Sequence, residues 1–168
     1  MATVPLARIC KHLLMTPWRV RRKFPPATLE VIEHEIRNSE TRHAGEICFV
    51  VEGALNGVAL YGGQSPRERA IEVFSLLRLW DTEHRNAVLI YVLLADRAVE
   101  IVADRGVHSK VAADDWEGVC HAMEVAFACG LYHTGTMDGI QAVTRQLVKH
   151  FPVVAGATKE LPDKPVVL

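Results

Sequence analysis

Glu46-Ile47-Cys48-Phe49-Val50-Val51-Glu52, Ser65-Pro66-Arg67-Glu68 and Val88-Leu89-Ile90-Tyr91-Val92-Leu93-Leu94, read in that order, decide the fold. The first run is β-branched and aromatic, the composition of a strand. In the second, Ser65 is an N-cap, Pro66 takes the first helical position and Glu68 completes a capping box. The helix that follows is expected to turn Ile71, Phe74, Leu77 (with Val73) and Trp80 toward a core. The third run is apolar on both faces, as a central strand covered from both sides must be. Strand, helix, strand is a βαβ crossover, so the two strands are expected to be parallel. Asp96-Arg97 then makes a turn, and Val99 to Ala103 returns as an antiparallel hairpin strand.

Outward from this unit, Pro25-Pro26 open a helix with Leu29, Ile32 and Ile36 on one face, ending near His43-Ala44-Gly45. Leu6, Ile9 and Leu13, with Cys10 and Leu14, form a short amphipathic helix that stops before Pro17. Asn56-Gly57 and Gly62-Gly63 mark loop. Downstream, Asp114 caps a helix over Trp116 to Cys129, with Gly130 at its end, and a last helix spans Thr136 to His150. The expected fold class is α/β: a three-layer α/β/α sandwich around a small mixed sheet. Residues 26–151 form that domain, 1–24 a basic helical arm, and 152–168 an extended tail.

With 168 residues, of which 49% are hydrophobic and 23% charged, the chain suits one globular domain and neither a disordered polymer nor a rod. Cys10, Cys48, Cys120 and Cys129 make no C-x-x-C pair, which argues against a zinc knuckle or redox motif and for buried thiols in a reducing compartment. Arg21-Arg22 is followed by Pro25-Pro26 and no apolar segment, and the longest apolar run, Ala87 to Ala95, is far short of the ~20 residues of a membrane span. The cytoplasm is the expected address. Charge is uneven: residues 1–24 carry +6 and no acid, the remainder −7. Such an arm could meet an anionic membrane surface weakly or lie against its own acidic domain; nucleic acid is not an expected partner.

Phosphate loops, dinucleotide fingerprints, nucleophile elbows and H-E-x-x-H are all absent from the sequence. What remains is a geometric cluster. The two parallel strands begin near Glu46 and Asn86, and the hairpin strand ends at Asp104, so all three points share one rim of the sheet. Asp96 lies at the other end, roughly 25 Å away along an eight-residue strand. At the rim, Asp81, Glu83, Asn86 and Asp104 are the candidate ligands for calcium or another divalent cation. Arg105, His108, His43, Glu46 and His84 are candidates for binding an anionic ligand. The plainer alternative is a solvated rim with Asp104-Arg105 as a surface pair.

Glu68-Arg69-Ala70, Phe74, Trp80-Asp81, Asn86-Ala87-Val88-Leu89-Ile90, Ala95-Asp96-Arg97 and Asp104-Arg105-Gly106-Val107 together resemble the TPM domain family of thylakoid-lumen, photosystem-repair and receptor-modulator proteins. The likeness covers roughly residues 26–151 and implies an α/β/α sandwich. Members are described as weak acid phosphatases or calcium binders, so the resemblance implies either activity at the rim. The family's Asn-Asn-Gly stands here as Arg85-Asn86-Ala87, and its Gly-x-Gly-hydrophobic-Glu as Asp104-Arg105-Gly106-Val107-His108. The expected function is a module binding a protein or small anionic ligand, with a divalent cation at the rim. The alternatives are a weak metal-dependent phosphomonoesterase and a peripheral membrane adaptor acting through the arm.

Overall fold

The computed structural model of the chain describes residues 4–153 and 159–168; residues 1–3 of the arm and 154–158 of the tail lie outside the described residues. The chain runs α1 (Leu6–Leu13), α2 (Pro17–Lys23), α3 (Pro26–Glu40), β1 (Glu46–Glu52), α4 (Gly57–Tyr61), α5 (Pro66–Leu76), β2 (Ala87–Leu93), β3 (Ala98–Ala103), α6 (Arg105–His108), α7 (Ala113–Ala128), α8 (Tyr132–His150) and β4 (Val166–Val167). The sheet order is β3-β2-β1-β4. β1 and β2 are parallel, from Glu46 opposite Ala87 to Glu52 opposite Leu93, and β3 returns antiparallel to β2. The crossover and hairpin are those the three quoted runs imply.

Every residue of β1 and β2 is buried, because helices cover both faces. Alternation along a strand sends Ile47, Phe49 and Val51 into one layer with Ile32, Ile36, Ile140 and Leu147 of α3 and α8. Cys48 and Val50 enter the other with Leu60, Val73 and Phe74 of α4 and α5. The capping box forms as its spacing implies, Ser65 accepting from the Glu68 amide and the Glu68 carboxylate from the Ser65 amide.

Several boundaries differ from the expected ones, each for a local reason. α5 ends at Leu76, and Arg78 takes a left-handed φ of 53°, so Trp80 is off the helix and exposed while Leu79 is buried instead. The face meeting the sheet is Ala70, Val73 and Phe74, leaving Ile71 exposed. Pro17 starts a second helix, α2, as well as ending the first. Asn56 caps the short α4 by accepting from the Ala59 amide at 2.9 Å. Asp114 lies within the first turn of α7, with Ala112 at the N-cap. α8 begins a turn early at Tyr132, where Gly135 lets it approach Ala126 and Phe127. The tail closes as β4, parallel to β1 at Val50 and Val51. All four cysteines are free; Cys48 is buried, but Cys10 and Cys129 are exposed.

Candidate functional site

The rim forms where strand register places it. The Glu46 amide donates to the Asn86 carbonyl at 3.2 Å, and the Asp104 amide to the Ala87 carbonyl at 2.9 Å. The Asn86 Nδ2 donates to the Ala44 carbonyl. His43, Glu46, Asn86 and Asp104 therefore lie at one end of the sheet, all four buried. Asp104 Oδ1 accepts the Arg105 amide at 2.7 Å and so caps α6, while Asp104 Oδ2 and Asn86 Oδ1 are buried without a protein partner.

His43 Nδ1 lies 3.0 Å from the Gly45 carbonyl, which only accepts, so Nδ1 carries the proton and Nε2 presents a lone pair. That Nε2 is the third unpartnered buried atom at the rim. Burial, aided by the charge of Arg42, lowers the imidazole to about 4 against the opposing bond to Gly45, so the ring is neutral at pH 7.

The other rim candidates stand apart. Thr82 is buried and its Oγ1 accepts the Asn86 amide at 3.3 Å; this turns Asp81, Glu83 and His84 outward to solvent. Arg105 and His108 are exposed on α6. The Glu46 carboxylate accepts the Glu160 and Leu161 amides at 3.1 and 3.4 Å, so it holds the tail in place. Burial raises its pKa above the usual carboxylate range, against those two bonds. A 220 Å³ cavity beside it is lined by Arg37, Glu40, His43, Glu46 and Lys159. Among the described residues no three His, Cys, Asp or Glu side chains gather closely enough to hold a metal ion. Of the four candidate metal ligands, Asn86 and Asp104 are buried at the same end of the sheet, while Asp81 and Glu83 are exposed.

At the opposite end the polar groups satisfy one another. Arg69 pairs Glu52 through two bonds of 2.9 and 3.0 Å, and the Tyr91 hydroxyl donates to Glu52 at 2.6 Å. Arg8 forks onto Asp96 at 2.7 and 3.1 Å. The Leu55 amide donates to His12 Nδ1 at 3.0 Å, which places the His12 proton on Nε2, aimed at Asp96 Oδ1 3.0 Å away. Burial would raise the Asp96 carboxyl, but the bonds from Arg8 and His12 outweigh it and hold the group below its ordinary range. Sequence reading treats Arg8 and His12 as arm charges; their signal was the four-residue spacing that puts both on the helix face opposite the leucines. Burial pushes the Cys48 and Cys120 thiols up to about 12, so neither is a thiolate nucleophile at neutral pH.

A βαβ unit and hairpin under two helical layers, with a carboxylate capping the turn after the hairpin, define the class: an α/β/α sandwich with its open polar groups at one rim. The sequence pattern of the TPM domain matches residues 23–146, and the chain belongs to the TPM domain family. It is similar to the BA42 protein from the psychrophilic bacterium Bizionia argentinensis, whose NMR structure is 29% identical over 84% of this chain and 92% of that one, with a TM-score of 0.73. The N-terminal domain of a P. gingivalis protein, 16% identical with a TM-score of 0.61 over 92% of this chain and 99% of that one, shares the fold. No curated protein matches the sequence.

Proposed function

We propose that this TPM-domain protein is a binding module that takes a hydrated divalent cation, calcium first, at Asn86 and Asp104. The observation that carries the reading is that two buried oxygens at this end of the sheet, Asn86 Oδ1 and Asp104 Oδ2, have no protein partner. An unmade hydrogen bond of that kind costs about 1–3 kcal/mol, which a cation or its water shell recovers. A carboxylate and an amide oxygen suit a hard cation, and two protein ligands leave the rest of its coordination to water and to a bound anion. Asp81 and Glu83, exposed on the adjoining loop, add negative potential. Arg105, exposed on α6, would meet a small anionic ligand or an acidic group of a partner protein. Four free thiols suit a reducing compartment, and the cytoplasm fits them. Among the described residues no helix is long and apolar enough to cross a membrane.

The test is the melting temperature in calcium, magnesium and manganese. A cation that binds the folded state raises it with concentration. Asp104→Asn keeps an N-cap oxygen and removes the charge, so it should abolish the rise. Asp138→Asn, exposed on α8, should leave the rise intact. Asp96 is unsuitable as the control, because it is bound to Arg8 and His12. No shift with any of the three cations at millimolar concentration overturns the cation reading. Metal-dependent hydrolysis of a phosphomonoester, lost in Asp104→Asn, would replace the binding module with the weak phosphatase.

A further inference from the structure

α1 is mounted with Arg8, His12 and the partly buried Ile9 inward. Leu6, Cys10, Leu13 and Leu14 recur at the spacing of one helix face, and that face is exposed: Leu6 by 74%, Leu13 by 71% and Leu14 by 58%. Arg8 and His12 occupy the inward side, bound to Asp96. A surface helix normally buries its apolar stripe against its own domain. Here the partly buried Arg8–Asp96 pair and the buried His12 fix the opposite orientation. Trp18, 65% exposed at the start of α2, extends the apolar surface, and the Arg22 guanidinium lies 5.5 Å over its ring.

Around these side chains the charge has one sign. Leu14 and Trp18 line a groove of about 620 Å³ with Lys11, Arg19, Arg22 and Arg97, and no acid lines it. Among the described residues, Lys11, Arg19, Arg21, Arg22 and Arg97 form no ion pair. Residues 1–24 carry +6 and the remainder −7.

We propose that this face of α1 and α2 is a docking surface for an anionic lipid bilayer. The leucines and Trp18 enter the boundary between headgroups and acyl chains, and the flanking lysine and arginines meet the headgroups. The acidic body is repelled by the same surface, which orients the protein arm-first. Ala95 and Arg97 of the β2–β3 turn also line the groove, so the surface lies at the end of the sheet opposite Asn86 and Asp104. The proposal is therefore independent of the cation reading.

Co-sedimentation of the full chain with phosphatidylcholine vesicles, with and without phosphatidylglycerol, tests it. Binding should require the anionic lipid, weaken as salt rises, and fall about fivefold per charge in Arg19→Ala and Arg22→Ala. Leu13→Ser with Trp18→Ser should lose binding at an unchanged melting temperature, because both side chains are exposed. The tryptophan emission should shift to the blue on anionic vesicles, and Trp18→Phe should remove that shift. Asp104→Asn should bind vesicles like the wild type. No binding at low salt, or binding undiminished in the Leu13/Trp18 variant, overturns the proposal. So does a dimer in size-exclusion chromatography that Leu13→Ser dissolves, because the occupant is then a second copy.

Discussion

His43 illustrates how much one side chain can impose on the rim. Its ring is buried, its Nδ1–H is committed to Gly45, and its pKa falls to about 4 from an ordinary 6.5. The unfolded chain therefore binds more protons than the folded one between those values, so stability rises with pH across that window. It is fully present above pH 6.5 and is lost as pH falls toward the folded value. Between pH 7.5 and 5 the loss from this residue should be about 2 kcal/mol. Urea denaturation of wild type and His43→Gln at both pH values checks this: the variant should show a pH dependence shallower by that amount. Equal slopes would mean that the buried ring is not what resists protonation.

At the scale of an element, the α6 turn depends on one missing side chain. A Cβ at Gly106 would lie 2.5 Å from the Arg85 carbonyl oxygen and 2.9 Å from that of His84. Both are backbone atoms of the turn into β2, and the Gly106 amide donates to the same Arg85 oxygen at 3.0 Å. Neither segment can yield without disturbing Asn86 and Asp104. Gly106→Ala should therefore cost about 1–3 kcal/mol in chemical denaturation, in the range of overpacked sites. Gly118, inside α7, makes the contrast: a methyl group there would have no neighbour within 4 Å. Gly118→Ala should stabilise by about 0.5–1 kcal/mol, since only helix propensity changes.

For the whole molecule the tail is the structural closure. β4 pairs with the edge of β1 at Val50 and Val51, the Glu160 and Leu161 amides donate to the buried Glu46 carboxylate, and Lys159 pairs Glu40 at 2.8 Å. Truncation after Val153 removes all three at once and leaves β1 as an open edge. It should cost at least about 3 kcal/mol in chemical denaturation, since hydrogen bonds to a charged group alone are worth about 1.5–3 kcal/mol each. Light scattering should show association through the bared strand. Adding Glu46→Gln should recover part of the stability, because a neutral amide is cheaper to leave underbonded. A truncated chain as stable as the full one would mean that the tail rests on the sheet without contributing to it.

The sequence by itself determined the parallel crossover, the hairpin, the two helical layers and the end of the sheet where Glu46, Asn86 and Asp104 lie. These follow from short-range rules: strand composition, a capping box spanning four residues, and the handedness of a βαβ unit. Tertiary structure alone decided which rim groups face inward. Thr82 took the buried place in the 82–86 turn and sent Asp81 and Glu83 to solvent, and the tail claimed Glu46. It also decided the orientation of α1, whose leucines are exposed. Amphipathic spacing shows that a helix has two faces; only Asp96, 84 residues from His12 in the chain, settles which one the domain binds.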